Sequence, residues 1–493
     1  MTKHTKAFTP FFLFLFFCIQ ASFVLGQNNT TYSKEVQEKI KKFENNLGLW
    51  VQIGGQRFTL ADRMRSNHVN GVSIALIKDY KIEWAKGYGW ADSAEQRAVT
   101  INTLFQAGSI SKSLNGVGVL KLVQEGKLNL DSDINIYLKS WKFPYDSLSK
   151  GKKITIANLL SHTAGLTVHG FDGYENGYAV PTLIQILNGE KPANNKAIRS
   201  MYEPSLKSEY SGGGITISQL ILQDVTGLPY DTYMWSNVLR PMGMSNSFYT
   251  QPPPADKENL LATGYYNDGA AVKGKYHIYP EQAAAGLWTN PTDLAKYIIE
   301  TQLSLKGKSN KVLSRETTRL RLTPYIDSSA ALGVFIIKKG NEKYFNHSGS
   351  DEGFVAEYYG SMENGNGVVV MANTDNGALL SEIVNSLASV YSWKDFYTPK
   401  IKNIVTVSNE ILKSYVGNYK LHRDTLNVTL EKEGLMIRLG GKTQYKIYFT
   451  SDTDFFMLEM AGSEQKFTKD NSNKIVGFDI NDNGYKMRAV KIE

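Results

Sequence analysis

The sequence holds a single cysteine, Cys18, among its 493 residues. One thiol can close no intrachain disulfide and cannot build a cysteine metal site. Dense basic runs are missing, and the excess of 55 Lys and Arg over 47 Asp and Glu is modest. Nucleic acid is therefore not an expected partner. No H-E-x-x-H or comparable ligand set accompanies His162 and His169, so neither zinc nor another metal is expected. The apolar run Phe11 to Phe17 is too short to cross a bilayer. What remains is the composition of a folded protein, 42% hydrophobic and 21% charged, at a length that suits two or three domains.

The first residues read as a leader. Lys3 and Lys6 precede the apolar run, and the small residues Val24 and Gly26 stand before Gln27. This is the pattern of a secretory signal peptide cleaved after Gly26. A lipoprotein signal using Cys18 is the alternative, against which stands the bulky Phe17. Cleavage after Gly26 removes the only thiol and lowers the formal charge from +8 by two lysines to +6. The expected product is exported, periplasmic or secreted, with no stable membrane span.

Residues 27–59 read as a lead-in with one helix. Val72 to Ala91 reads as a hairpin turning at Asp79-Tyr80-Lys81. Leu114, Val117, Leu120 and Val123 recur at helical spacing until Gly126. Asp131 to Lys207 is helical and loop-rich. Further helices are expected at Gly214–Thr226, Pro291–Leu305 and Leu379–Tyr391. Strands are expected near Gly333–Lys339, Val355–Tyr359 and Val368–Met371. Strands at both ends with helices between predict an α+β domain over 60–395, its sheet assembled from distant segments. After a linker at 396–410, short strand candidates separated by turns predict a small all-β, barrel-like domain over 411–493.

One motif for nucleophilic chemistry, S-x-x-K, occurs three times, at Ser109–Lys112, Ser147–Lys150 and Ser463–Lys466. Alone it means little. Ser147 lies in a polar loop and Ser463 in the β region. Only Ser109 opens what reads as an amphipathic helix. There, residues three apart share a face, so Lys112 can reach the Ser109 hydroxyl. First-turn amides lack helical partners and can face a developing oxyanion. A serine hydroxyl needs such an adjacent base to become a nucleophile. The competing reading is an ordinary helix cap beside a solvated lysine.

Five segments in order decide between these. Phe105-Gln106-Ala107-Gly108-Ser109-Ile110-Ser111-Lys112 resembles the nucleophile segment of the class C β-lactamase, D-aminopeptidase and esterase superfamily of serine hydrolases. Leu159-Leu160-Ser161-His162-Thr163-Ala164-Gly165-Leu166 is similar to another segment of that group. Tyr210-Ser211-Gly212 falls at its Y-x-N element, Ala284 to Leu294 resembles a further one, and His347-Ser348-Gly349 stands at its K-T-G strand. The resemblance covers roughly residues 60–391.

The resemblance implies a β-lactamase and penicillin-binding-protein-like fold, an antiparallel sheet flanked by helices plus a helical subdomain, followed by an appended lipocalin-like β domain. It implies that Ser109 is the nucleophile, Lys112 its base and Tyr210 a partner in proton transfer. It places His347 and Gly349 at the substrate strand and the second oxyanion amide on Ser350. No cofactor is implied. Gly212 in place of asparagine and His347 in place of lysine argue against efficient β-lactam hydrolysis. A histidine there is expected to become cationic below about pH 6.5. Asp351-Glu352 is expected to face solvent. Expected substrates are peptides containing D-amino acids, cell-wall fragments or small esters. The alternatives are a non-catalytic penicillin- or muropeptide-binding protein and a weak β-lactamase.

Overall fold

The computed structural model describes residues 32–49, 51–421, 424–439, 444–458, 463–482 and 485–492. The expected leader, its cleavage site and Cys18 lie outside the described residues.

Strands β1 (Gly71–Lys78) and β2 (Lys81–Asp92) form the expected hairpin. Asp79 and Tyr80 join them at φ 52° and 63°. Positive φ at both turn residues matches the twist of paired strands. β3 (Arg97–Ala98) follows. The sheet is completed by β4 (Phe335–Lys339), β5 (Glu342–Asp351), β6 (Phe354–Ser361) and β7 (Gly367–Ala372). The order is β3-β2-β1-β7-β6-β5-β4, with every neighbour antiparallel. The pairing of β1 with β7 joins the two distant strand groups at the middle of the sheet.

β7 is buried along its whole length, and β1 along all but its last residue. Alternate residues of a strand face opposite sides, so both faces must be covered. One face packs on α1 (Lys34–Glu44) and α7 (Ala378–Val390). The other meets α6 (Pro291–Leu305) and the helical region that holds α2 (Ser111–Gln124), α3 (Ile156–Leu160), α4 (Gly212–Thr226) and α5 (Gln282–Ala285). The start of α6 follows from its sequence. Asn290 accepts the Asp293 amide at its cap, and Pro291 occupies the first turn, where its missing N–H costs nothing.

α2 departs from the amphipathic reading. Eleven of its residues are buried, including Ser111, Lys112, Ser113 and Asn115. Those polar side chains are satisfied from afar: Ser111 Oγ accepts the Leu287 amide, Ser113 Oγ accepts the Tyr358 hydroxyl, and Asn115 donates to Ser218 Oγ. It is a central helix whose polar positions look into other elements.

Nine strands between Gly417 and Lys491 pair antiparallel in one sheet. Its two edge strands, Gln444–Lys446 and Tyr448–Phe449, are consecutive in sequence with only Ile447 between them. The sheet must therefore curl until its edges nearly meet. Tyr415, Tyr419, Phe449, Phe455, Phe467 and Phe478 fill its inside. Tyr415 and Phe467 stack with ring centroids 3.8 Å apart. Strands Gly417–Leu421 and Ser463–Lys469 add to those expected from the sequence.

Candidate active site

Ser109 sits in a 3₁₀ turn, Gly108–Ile110, that leads into α2. Gly108 has φ 51°, a conformation that favours glycine, and a Cβ there would lie 2.5 Å from Ser350 N. A Cβ on Gly349 would meet Ala107 O at 1.9 Å and Ser109 N at 2.9 Å. Glycine on both sides is what lets the Ser109 turn press against β5. The amides of Ser109 and Ser350 thereby come to one place.

Lys112 lies one turn on, 2% exposed. Its Nζ donates to Ser109 Oγ at 2.8 Å and to Ala284 O at 2.7 Å. α5 and the residues after it hold this arrangement, for Leu287 O also accepts the Ala107 amide. The segment Ala284 to Leu294 thus serves as the wall that aims Lys112.

Tyr210 stands just before the Ser211 cap of α4, half-buried, with Lys112 Nζ 5.0 Å from its ring centroid. Gly212 follows. A Cβ there would come 3.0 Å from the Phe171 ring and 3.1 Å from His169 O. The segment 169–171 occupies the room that an asparagine would need.

His347 is 3% exposed on β5. Its ring lies 5.3 Å from Phe335 and 6.3 Å from Tyr210, centroid to centroid. Nδ1 meets Ser348 O at 2.5 Å, while Nε2 is buried without a hydrogen-bond partner. Burial, reinforced by the Lys112 charge, pushes its pKa down to about 3. The ring stays neutral where a solvated histidine would be cationic, which corrects the expected switch near pH 6.5.

A further expectation changes. Asp351 does not face solvent. It is 5% exposed, because residues 347, 349 and 351 share the face of β5 turned toward the helices. Burial raises its carboxyl well above the usual range, against the pull of Lys112 and the Gly108 amide. Glu281, immediately before α5, is fully buried with neither oxygen hydrogen-bonded, and burial raises it to about 8. His162, to which the sequence alone assigned no role, also joins the site. It packs on Tyr210 with ring centroids 4.4 Å apart, and its Nδ1 accepts the Ser211 amide at 3.2 Å. Burial, then Lys112 and His347, holds it well below its ordinary pKa, as a neutral ring. Its place within Leu159–Leu166 was the available signal. Nothing in the sequence marks Glu281. No group of three or more metal-ligating side chains occurs among the described residues.

The structure brings Ser109, Lys112, Tyr210, His347, Gly349 and Ser350 together. Ser147 lies in a 3₁₀ turn beside Asp146 and Ser463 on the C-terminal sheet, and neither lines the cleft at Ser109. A cleft of about 540 Å³ opens at Ser109, Tyr210 and His347.

Known proteins supply an independent comparison. Protein flp of Staphylococcus aureus (strain N315) is 25% identical over 363 residues, covering 70% of this chain and 69% of its own. The octameric penicillin-binding protein homologue from Pyrococcus abyssi superposes with a TM-score of 0.61 at 22% identity, over 88% of this chain and 98% of that one. The D-amino acid amidase from Ochrobactrum anthropi SV3, solved with L-phenylalanine amide, gives 0.55 at 19% identity, over 72% and 99%. At these identities the structural likeness speaks to the fold. The family model for beta-lactamase matches residues 58–386, two thirds of the sequence, and it spans every side chain of the site. The chain belongs to the beta-lactamase family.

Proposed function

We propose that this protein is an exported serine hydrolase that cleaves an amide or ester through an acyl-enzyme on Ser109. The observation that carries the reading is the 2.8 Å contact between Lys112 Nζ and Ser109 Oγ at the mouth of a cleft. Lys112, held in place on Ala284 O, takes up the serine proton as Oγ attacks the carbonyl. The amides of Ser109 and Ser350 receive the oxyanion. Tyr210, beside Lys112, returns the proton to the leaving amine or alkoxide. Water then attacks the ester to Ser109, its proton passing through the same base to Ser109 Oγ as the acyl–Oγ bond breaks and the acid product leaves. Neutral His347 and the filled space at Gly212 remove a cation and an amide from the substrate side. Both favour amides and esters over β-lactams, and the likeness to a D-amino acid amidase supports including D-amino-acid derivatives. A panel of D-aminoacyl amides, p-nitrophenyl esters, D-Ala-D-Ala peptides and nitrocefin, run with Ser109→Ala alongside, tests it. Ester or amide turnover that Ser109→Ala abolishes is expected. Nitrocefin as the best substrate, or turnover that survives Ser109→Ala, overturns the reading.

A further inference from the structure

The cleft does not end at the catalytic side of the sheet. β4 pairs with β5 only as far as Asn346, where Phe335 is its partner. Residues 347–351 of β5 thus lack a β4 neighbour on that side. The same continuous cavity that touches Ser109 and His347 also touches Ser348, Ser350, Val355, Glu357 and Leu380. Register explains this. Ser348 pairs with Glu357 and Ser350 with Val355, so these four share the face opposite to His347 and Gly349. Val355 and Leu380 belong to the core packed between that face and α7. The cleft therefore passes over the unpaired edge of β5 into an annex on the second face.

The annex is apolar apart from two serines and one acid. Glu357 is 8% exposed, and its Oε1 is fully buried without a hydrogen-bond partner. No lysine or arginine is among the described residues that line the cleft. Lys339, on β4, exerts a field on Glu357, while its own burial lowers its pKa. A buried acceptor of this kind is costly until a donor reaches it. We infer that Glu357 is a specificity-determining residue that receives a cationic amine of the substrate in this annex. The inference rests on the proposed hydrolase reading and adds the substrate's charge to it. A carboxylate-bearing end would meet Glu357 with like charge, with no lysine or arginine in the cleft lining to receive it.

Burial raises the Glu357 carboxyl to about 7, with Lys339 pulling the other way. The remaining neighbours do not compete for its proton in this range: β5 and α7 present Ser348, Ser350 and Leu380, β7 presents Val370, and Tyr359 on its own strand is itself held far above its ordinary value. Below that pH the carboxyl is neutral and discriminates little. Above it the carboxylate prefers an ammonium.

The test uses the full chain and matched p-nitroanilides and p-nitrophenyl esters. Each series carries a primary amine, its N-acetyl form or a carboxylate, on the acyl side or on the leaving side. In one of these placements the amine form is expected to lead the acetyl form in kcat/KM by about tenfold, through KM, as suits one charge-assisted hydrogen bond. That lead should grow as pH rises through 7, a readout that needs no variant. Glu357→Gln should bring the ratio toward one and flatten its pH dependence. A flat ratio in the wild type, a preference for the carboxylate form, or an unchanged ratio in Glu357→Gln overturns the inference. Absence of any Ser109-dependent turnover would instead sink the hydrolase reading on which it rests.

Discussion

Gly349→Ala should disable the site by geometry alone. The methyl carbon would stand 1.9 Å from Ala107 O and 2.9 Å from Ser109 N. Favourable contacts begin at about 3.5 Å, so the strand and the nucleophile turn must part by roughly 1 Å or more. Both atoms are backbone, so no flexible side chain can yield. Overpacking of this kind costs about 1–3 kcal/mol of stability. The functional cost is larger, since a misplacement of about 1 Å lowers rates by about 10²-fold. Separation of β5 from the turn moves the Ser350 amide away from the Ser109 amide, and both must face one oxygen. The assay pairs the rate of Ser109 labelling by a fluorophosphonate with a thermal melt. Gly170→Ala is the control, because no heavy atom lies within 4 Å of its Cβ position. A folded Gly349→Ala protein that labels at the wild-type rate would refute the claimed contact between strand and nucleophile.

Two pH predictions follow from the buried groups. Glu281 binds its proton up to about pH 8 when folded, whereas an ordinary carboxyl releases it near 4.5. The folded state is the better proton binder between those values, so stability falls there as pH rises, by about 1.4 kcal/mol per unit at most. Glu281→Gln should therefore gain on the wild type in urea titrations as pH climbs from 4.5 to 8; a difference independent of pH contradicts the assignment. His347 is neutral down to about pH 3. His347→Gln should leave the shape of the ester kcat/KM profile between pH 5 and 8 unchanged, whatever its height. An acid limb near pH 6.5 that vanishes in this variant would show that the ring titrates there. Since its folded pKa is depressed, the wild type loses stability relative to His347→Gln as pH falls from 6.5 toward 3.

Local chemistry was legible where one short segment decides the outcome. Asp79-Tyr80 dictated a hairpin turn, and Asn290-Pro291 the start of α6. Ser109 and Lys112 met because one helical turn separates them, although Ser109 lies in a 3₁₀ turn. What failed to show depends on distant partners. α2 carries buried Ser113 and Asn115 because Tyr358 and Ser218 satisfy them, and neither is near in sequence. Asp351 looked solvated until the parity of β5 turned it inward. His162 gained its neighbour only when the chain after α3 came back against Tyr210. Strand Ser463–Lys469 escaped notice because Phe467 is its only large apolar residue. Its Glu464 and Lys466 point outward, as a one-sided strand requires.

The proposed hydrolysis depends on Ser109 as nucleophile and on Lys112 to activate it. Intact-mass and peptide mapping after fluorophosphonate treatment tests this most directly. One adduct per chain is expected, on Ser109, slowed strongly in Lys112→Met and absent in Ser109→Ala. An adduct on another residue, or Ser109→Ala protein labelled at the wild-type rate, would contradict it.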